Sequence, residues 1–150
     1  MEINNTITPS NVVLSDLKQQ TYLLSDLLKE NKVNLLLFYH TDCLGCTGRA
    51  IPFGYELAQK NTDINLVVIH ADFKNRKRSI EEILDIFTAK EAPFPIFLDE
   101  NAELYTTLHC EGTPHWIILN SEGEILHSIF GSQEGAQMKI HYSVDEQLGK

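Results

Sequence analysis

Apolar and polar positions along the chain fall into blocks that change period. Val33 to Tyr39 carries Leu35, Leu36, Leu37 and Phe38 in a row, and Ile64 to Ile69 is a second such run. Apolar runs this short predict strands buried on both faces rather than helices. Phe94 to Leu98, bounded by Pro93 and Asp99, predicts a short third strand. Val12-Val13-Leu14 predicts a short edge strand. His115 to Leu119 and Glu124 to Phe130 flank Asn120-Ser121-Glu122-Gly123, and this pattern predicts a hairpin because Gly tolerates positive φ.

Between these runs the period becomes helical. Leu23, Leu24, Leu27 and Leu28 predict an amphipathic helix over Thr21 to Glu30. Arg49 to Asn61 places Ile51, Tyr55 and Ala58 on one side. Ser79-Ile80-Glu81-Glu82 has the capping-box pattern and opens a helical stretch running to Lys90. Ala102 to His109 and Ser132 to Leu148 complete the set. Strand–helix units followed by a hairpin and a last helix predict an α/β fold, a mixed central sheet flanked by helices.

With 150 residues and no repeat or linker, the chain reads as a single domain over 1–150, with 1–10 a loose tail. The net charge of −9, from 21 acidic and 12 basic residues, repels phosphate backbones and anionic lipid, so neither nucleic acid nor membrane is the expected partner. The first residues lack a basic start followed by an apolar run, and the longest apolar run is too short to span a bilayer. As written the chain reads as soluble, cytoplasmic and monomeric. A periplasmic or extracytoplasmic site would follow if a leader or anchor had been removed.

Three cysteines do not make a disulfide scaffold, but Cys43-Leu44-Gly45-Cys46 sits between a predicted strand and a predicted helix. A sulfur at a helix start meets unpaired amide N–H groups and the positive dipole end, which stabilise a thiolate. The second sulfur lies about one turn further on, within bridging reach. Such a pair performs thiol–disulfide exchange: one thiolate attacks a disulfide and the other thiol resolves the mixed disulfide. Zinc is disfavoured because no second CxxC or close CxxH supplies the remaining ligands. Asp42 opposes a Cys43 thiolate, whereas a protonated His40 favours it.

From about Leu14 to Gly131 the chain resembles the thioredoxin superfamily, in particular its TlpA/ResA-like, AhpC/TSA-related branch. The matching segments are Val33–Cys46 (VNLLLFYHTDCLGC), Phe94–Asp99, Gly112-Thr113-Pro114 and Ile117–Gly123. The resemblance implies a thioredoxin-like fold and protein substrates carrying a disulfide or dithiol; neither a cofactor nor a resident metal is expected. It implies that Cys43 is the nucleophile, Cys46 the resolving thiol and Pro114 cis beside them, with the Thr113 backbone pairing with bound peptide. The chain departs from the family at Asp42, where Trp is usual, at Leu37, where a polar group is frequent, and at Pro52, one residue later than usual. A peroxide-reducing site is disfavoured, since Thr41 stands two rather than three residues before the cysteine and no upstream Pro accompanies it.

Other residues have plainer readings. Cys110 reads as a packed thiol rather than a third redox group. His40, His109 and His115 read as surface or cap residues, with a proton shuttle as the sharper alternative, and Glu111 is the nearest acid in the proline loop. Lys74, Arg76, Lys77 and Arg78 read as a solvated loop before a docking site. Two alternatives to exchange stay open: a copper-binding chaperone using Cys43, Cys46 and one His, and a redox-inactive interaction module.

Overall fold

A computed structural model describes residues 6–149 of the chain. Among these residues the strands are β1 (Val13–Asp16), β2 (Thr21–Leu23), β3 (Val33–Tyr39), β4 (Ile64–Asp72), β5 (Ile96–Glu100), β6 (His115–Leu119) and β7 (Ile125–Phe130). They form one sheet in the order β2-β1-β5-β4-β3-β6-β7. The two longest apolar runs lie at its centre, where β3 is buried at every position and runs parallel to β4. β5 is parallel to β4, while β6, β7 and β1 are antiparallel to their neighbours, so the sheet is mixed as expected.

The helices are α1 (Leu24–Leu27), α2 (Ile51–Lys60), α3 (Ile80–Leu84), α4 (Glu103–Thr107) and α5 (Ala136–Leu148). Alternation along β3 divides the core in two. Leu35, Leu37 and Tyr39 pack with Cys46, Ile51, Ile83 and Ile140 on the side of α2, α3 and α5. Leu36 and Phe38 pack with Leu24, Leu104 and Leu108 on the side of α1 and α4.

Several elements differ from the sequence pattern. The helix expected over Thr21–Glu30 is a strand followed by one helical turn. The Asp16 carboxylate accepts hydrogen bonds from the Lys18 and Gln20 amides and the Tyr22 hydroxyl, which closes a hairpin and draws Thr21–Leu23 onto β1. β1 is therefore an interior strand, paired with both β2 and β5. The helix opening at Ser79 keeps its reciprocal cap with Glu82 but ends at Leu84, and positive φ at Ala89 and Lys90 breaks the stretch beyond it. The last helix begins at Ala136, after Gly135 at φ 74°.

Residues 1–5 of the expected tail lie outside the described residues. Residues 6–10 are not loose: Thr6 bridges Glu124, the Ile7 amide donates to the Gly123 carbonyl at 2.9 Å, and Pro9 is buried.

Candidate active site

The cysteine pair follows the C-terminal end of β3. The chain turns at Thr41–Asp42 and becomes helical at Leu44, so Cys43 stands at the helix start. The helix first makes a wide turn, Cys46–Ala50, whose amide at Ile51 bonds back to the Cys46 carbonyl. Pro52, which has no N–H to give the regular ladder, stands two residues past this π-type turn.

Cys43 is half-buried, Cys46 is fully buried, and Leu44 between them is 87% exposed. The Cys46 amide N–H donates to Cys43 Sγ at 3.2 Å, and the Cys43 thiol donates to the Thr113 carbonyl at 3.4 Å. Burial pushes the Cys46 thiol up to about 12, with the adjacent Cys43 adding to the shift. The two sulfurs thus differ in exposure, Cys43 the more accessible and Cys46 enclosed.

The Thr113–Pro114 peptide is cis, and Pro114 lies over the pair, its Cδ 3.9 Å from where a side chain on Gly45 would begin. The loop after β7 closes on Pro114 through the Gly131 amide, which donates to the Pro114 carbonyl at 2.8 Å. A Cβ at Gly131 would lie 2.7 Å from Pro114 Cγ, so only glycine allows this approach.

Two buried imidazoles shape the turn before Cys43. His40 Nδ1 accepts the Asp42 amide at 3.1 Å, which leaves the ring proton on Nε2, and Nε2 donates to the Arg76 carbonyl at 2.8 Å. His70, at the end of β4, accepts the Thr41 amide through Nε2 at 3.2 Å and packs 4.7 Å from the His40 ring. Desolvation pushes His70 down to about 4, with His40 adding to the effect. Neither ring is a surface residue; both accept backbone amides and hold the turn before Cys43. With both nitrogens engaged, His40 has no free lone pair for a proton shuttle or for a copper ion. Among the described residues, no three His, Cys, Asp or Glu side chains are grouped to hold a metal ion.

Asp42 is paired with Arg78, whose Nε donates to Oδ1 at 3.0 Å while its Nη2 pairs with Oδ2. That guanidinium holds the Asp42 carboxyl below its usual range, and it offsets the negative charge beside Cys43. His115 is buried rather than exposed. Its Nδ1 accepts the Glu111 amide at 3.3 Å, its Nε2 pairs with Ser128 Oγ at 2.8 Å, and burial lowers its pKa. Glu111 itself is exposed, as is His109. Cys110 packs on the α1/α4 side, across the sheet from Cys43 and Cys46, and burial pushes its thiol up to about 12.

Sequence reasoning missed His70 and Gly131, and it read Arg78 as part of a solvated loop rather than as the partner of Asp42. His70 had a signal. The two apolar runs each end in a histidine, and the parallel register that aligns Tyr39 with His70 brings both rings under the loop. Arg78 and Gly131 had none, because their partners are 36 and 17 residues away.

A thiol pair of this kind on this sheet is the hallmark of thioredoxin-like thiol–disulfide oxidoreductases. The chain belongs to the Redoxin family, whose model matches residues 3–142. It is 26% identical over 97 residues to the thioredoxin-like protein SkfH of Bacillus subtilis, covering 65% of this chain and 67% of that protein. Its fold is shared with the pneumococcal exposed lipoprotein thioredoxin Etrx1 of Streptococcus pneumoniae, at TM-score 0.70 and 20% identity over 89% of this chain and 97% of that one. A secreted Mycobacterium tuberculosis disulfide oxidoreductase homologous to DsbE superposes at TM-score 0.67 and 15% identity, over 89% and 94%.

Proposed function

We propose that this chain acts as a single-domain monomer that exchanges its Cys43–Cys46 dithiol or disulfide with protein substrates. The observation that carries the reading is the asymmetry of the pair: Cys43 half-exposed with an amide N–H on its sulfur, Cys46 buried behind it. In the reducing direction the Cys43 thiolate attacks one sulfur of a substrate disulfide. A Cys43–substrate bond forms, the substrate S–S bond breaks, and the departing thiolate takes up a proton. Cys46 then loses its proton and attacks Cys43 Sγ. The internal disulfide forms, the second substrate sulfur leaves as a thiolate, and two electrons have passed to the substrate. The same steps reversed oxidise a substrate dithiol.

Thr113 supports the first step. Its carbonyl accepts the Cys43 S–H, and once that proton is gone the carbonyl is free to receive an amide N–H from an extended substrate segment. Two of the relatives are by name an exposed lipoprotein and a secreted oxidoreductase, so we place this chain's work outside the cytoplasm as well.

The test is turnover of a protein disulfide together with redox titration and thiol alkylation. Turnover is expected to vanish in Cys43→Ser, and Cys46→Ser is expected to accumulate a mixed disulfide with the substrate. Because burial is the largest cause of the raised Cys46 pKa, release of that mixed disulfide in the native protein should quicken by about tenfold per pH unit between about pH 6 and 9. Full turnover by Cys43→Ser, or no internal link between positions 43 and 46 on oxidation, would overturn the reading.

A further inference from the structure

Four of the chain's 12 basic residues, Lys74, Arg76, Lys77 and Arg78, fall within five positions of an acidic sequence. The fold brings that loop to the nucleophile. It leaves the C-terminal end of β4, the strand next to β3, and touches the Cys43 turn at two points: Arg78 on the Asp42 carboxylate and the Arg76 carbonyl on His40 Nε2. Lys77 and Arg78 are spent on Asp72 and Asp42. Lys74 and Arg76 are exposed, and among the described residues no carboxylate lies within ion-pair distance of either.

Arg76 is also held in place. Its amide donates to the Phe73 carbonyl at 3.0 Å, its carbonyl accepts from His40, and its guanidinium lies 4.8 Å from the centre of the Phe73 ring. A cation fixed in this way loses little conformational entropy when it binds an anion. We propose that Arg76 and Lys74 form a docking site for carboxylates flanking the reactive cysteine of the protein substrate. The proposal rests on the exchange reading above and adds a substrate class to it: acidic segments around the cysteine.

The test is fluorescence anisotropy of labelled, unstructured peptides that carry Ser in place of the cysteine, flanked by Glu, by Gln or by Lys. At low salt the Glu peptide is expected to bind about fivefold more tightly than the Gln peptide, the effect of two exposed charge pairs of ordinary strength. The preference should disappear at about 1 M salt, where the screening length falls to about 3 Å. It should also disappear in the double variant Lys74→Gln, Arg76→Gln, and persist in Lys139→Gln on α5, outside the basic loop. Equal affinities in the native protein, or a preference that survives the double variant or is lost equally in Lys139→Gln, would overturn the docking site. Charge-selective binding without any disulfide turnover would instead sink the exchange reading and leave the docking site standing.

Discussion

His70 sits fully buried at the end of β4 with one ring nitrogen committed to the Thr41 amide. Only an unprotonated Nε2 accepts that N–H, so the neutral ring is part of the folded state, and burial lowers its pKa from 6.5 to about 4. The unfolded chain therefore binds a proton first as the pH falls. Stability contributed by the neutral ring is complete above about pH 6.5 and is lost progressively as pH drops towards 4, by about 3 kcal/mol in all. Urea midpoints measured from pH 7 down to pH 4 should record this loss. His70→Gln places a non-titrating oxygen near the same acceptor position, and it should flatten the slope over that interval. An unchanged slope in the variant would show that another group carries the acid sensitivity.

The packing of elements decides how far the site tolerates change. The β6 and β7 ends meet at Pro114 and Gly131, where a methyl group would press on Pro114 Cγ at 2.7 Å, the Pro114 carbonyl at 2.8 Å and Trp116 Nε1 at 3.2 Å. Gly131→Ala is expected to lose about 1–3 kcal/mol of stability and to slow exchange, because Pro114, on which it presses, lies beside the cysteine pair. Denaturant unfolding and disulfide turnover read the two effects, and native values for both would show that the loop yields without cost. What the sequence made legible at this scale was local. β3, β4 and the CxxC turn each carry their signal within a few adjacent residues, and β6 matches its apolar run residue for residue. What stayed hidden depended on distant partners or on single backbone angles. Thr21–Leu23 reads as helix until the Asp16 turn presents it with β1, and β1 reads as an edge until β5 arrives beside it. His40 and His115 read as surface or cap residues because the amides they accept belong to turns whose shape the sequence does not spell out. At the candidate site the cysteines stood out at once; the loop-holding acceptors around them did not.

At the scale of the whole molecule, residues 6–9 are pinned to the hairpin between β6 and β7. Gly123, at φ 92°, turns β6 into β7, and the space its missing side chain leaves is filled by the Ile7 carbonyl and by Pro9, whose Cδ would lie 2.7 Å from a Cβ there. One glycine thus answers two demands, a backbone angle that L side chains rarely adopt and a close crossing of chain segments. Gly123→Ala meets both at once: the positive φ costs about 1 kcal/mol and the crossing adds more unless the first segment lifts away. If it lifts, Thr6 loses its bridge to Glu124 and Ile7 its bond to Gly123, while the Cys43–Cys46 pair, by Pro114 at the other end of β6, keeps its contacts. The expected result is a lower denaturation midpoint and faster proteolytic clipping near residues 6–11, with exchange by folded protein little changed. A variant as stable and as protease-resistant as the native chain would mean that the N-terminal segment adds nothing to the closure of the sheet, and that the loose tail suggested by its polar sequence describes it after all.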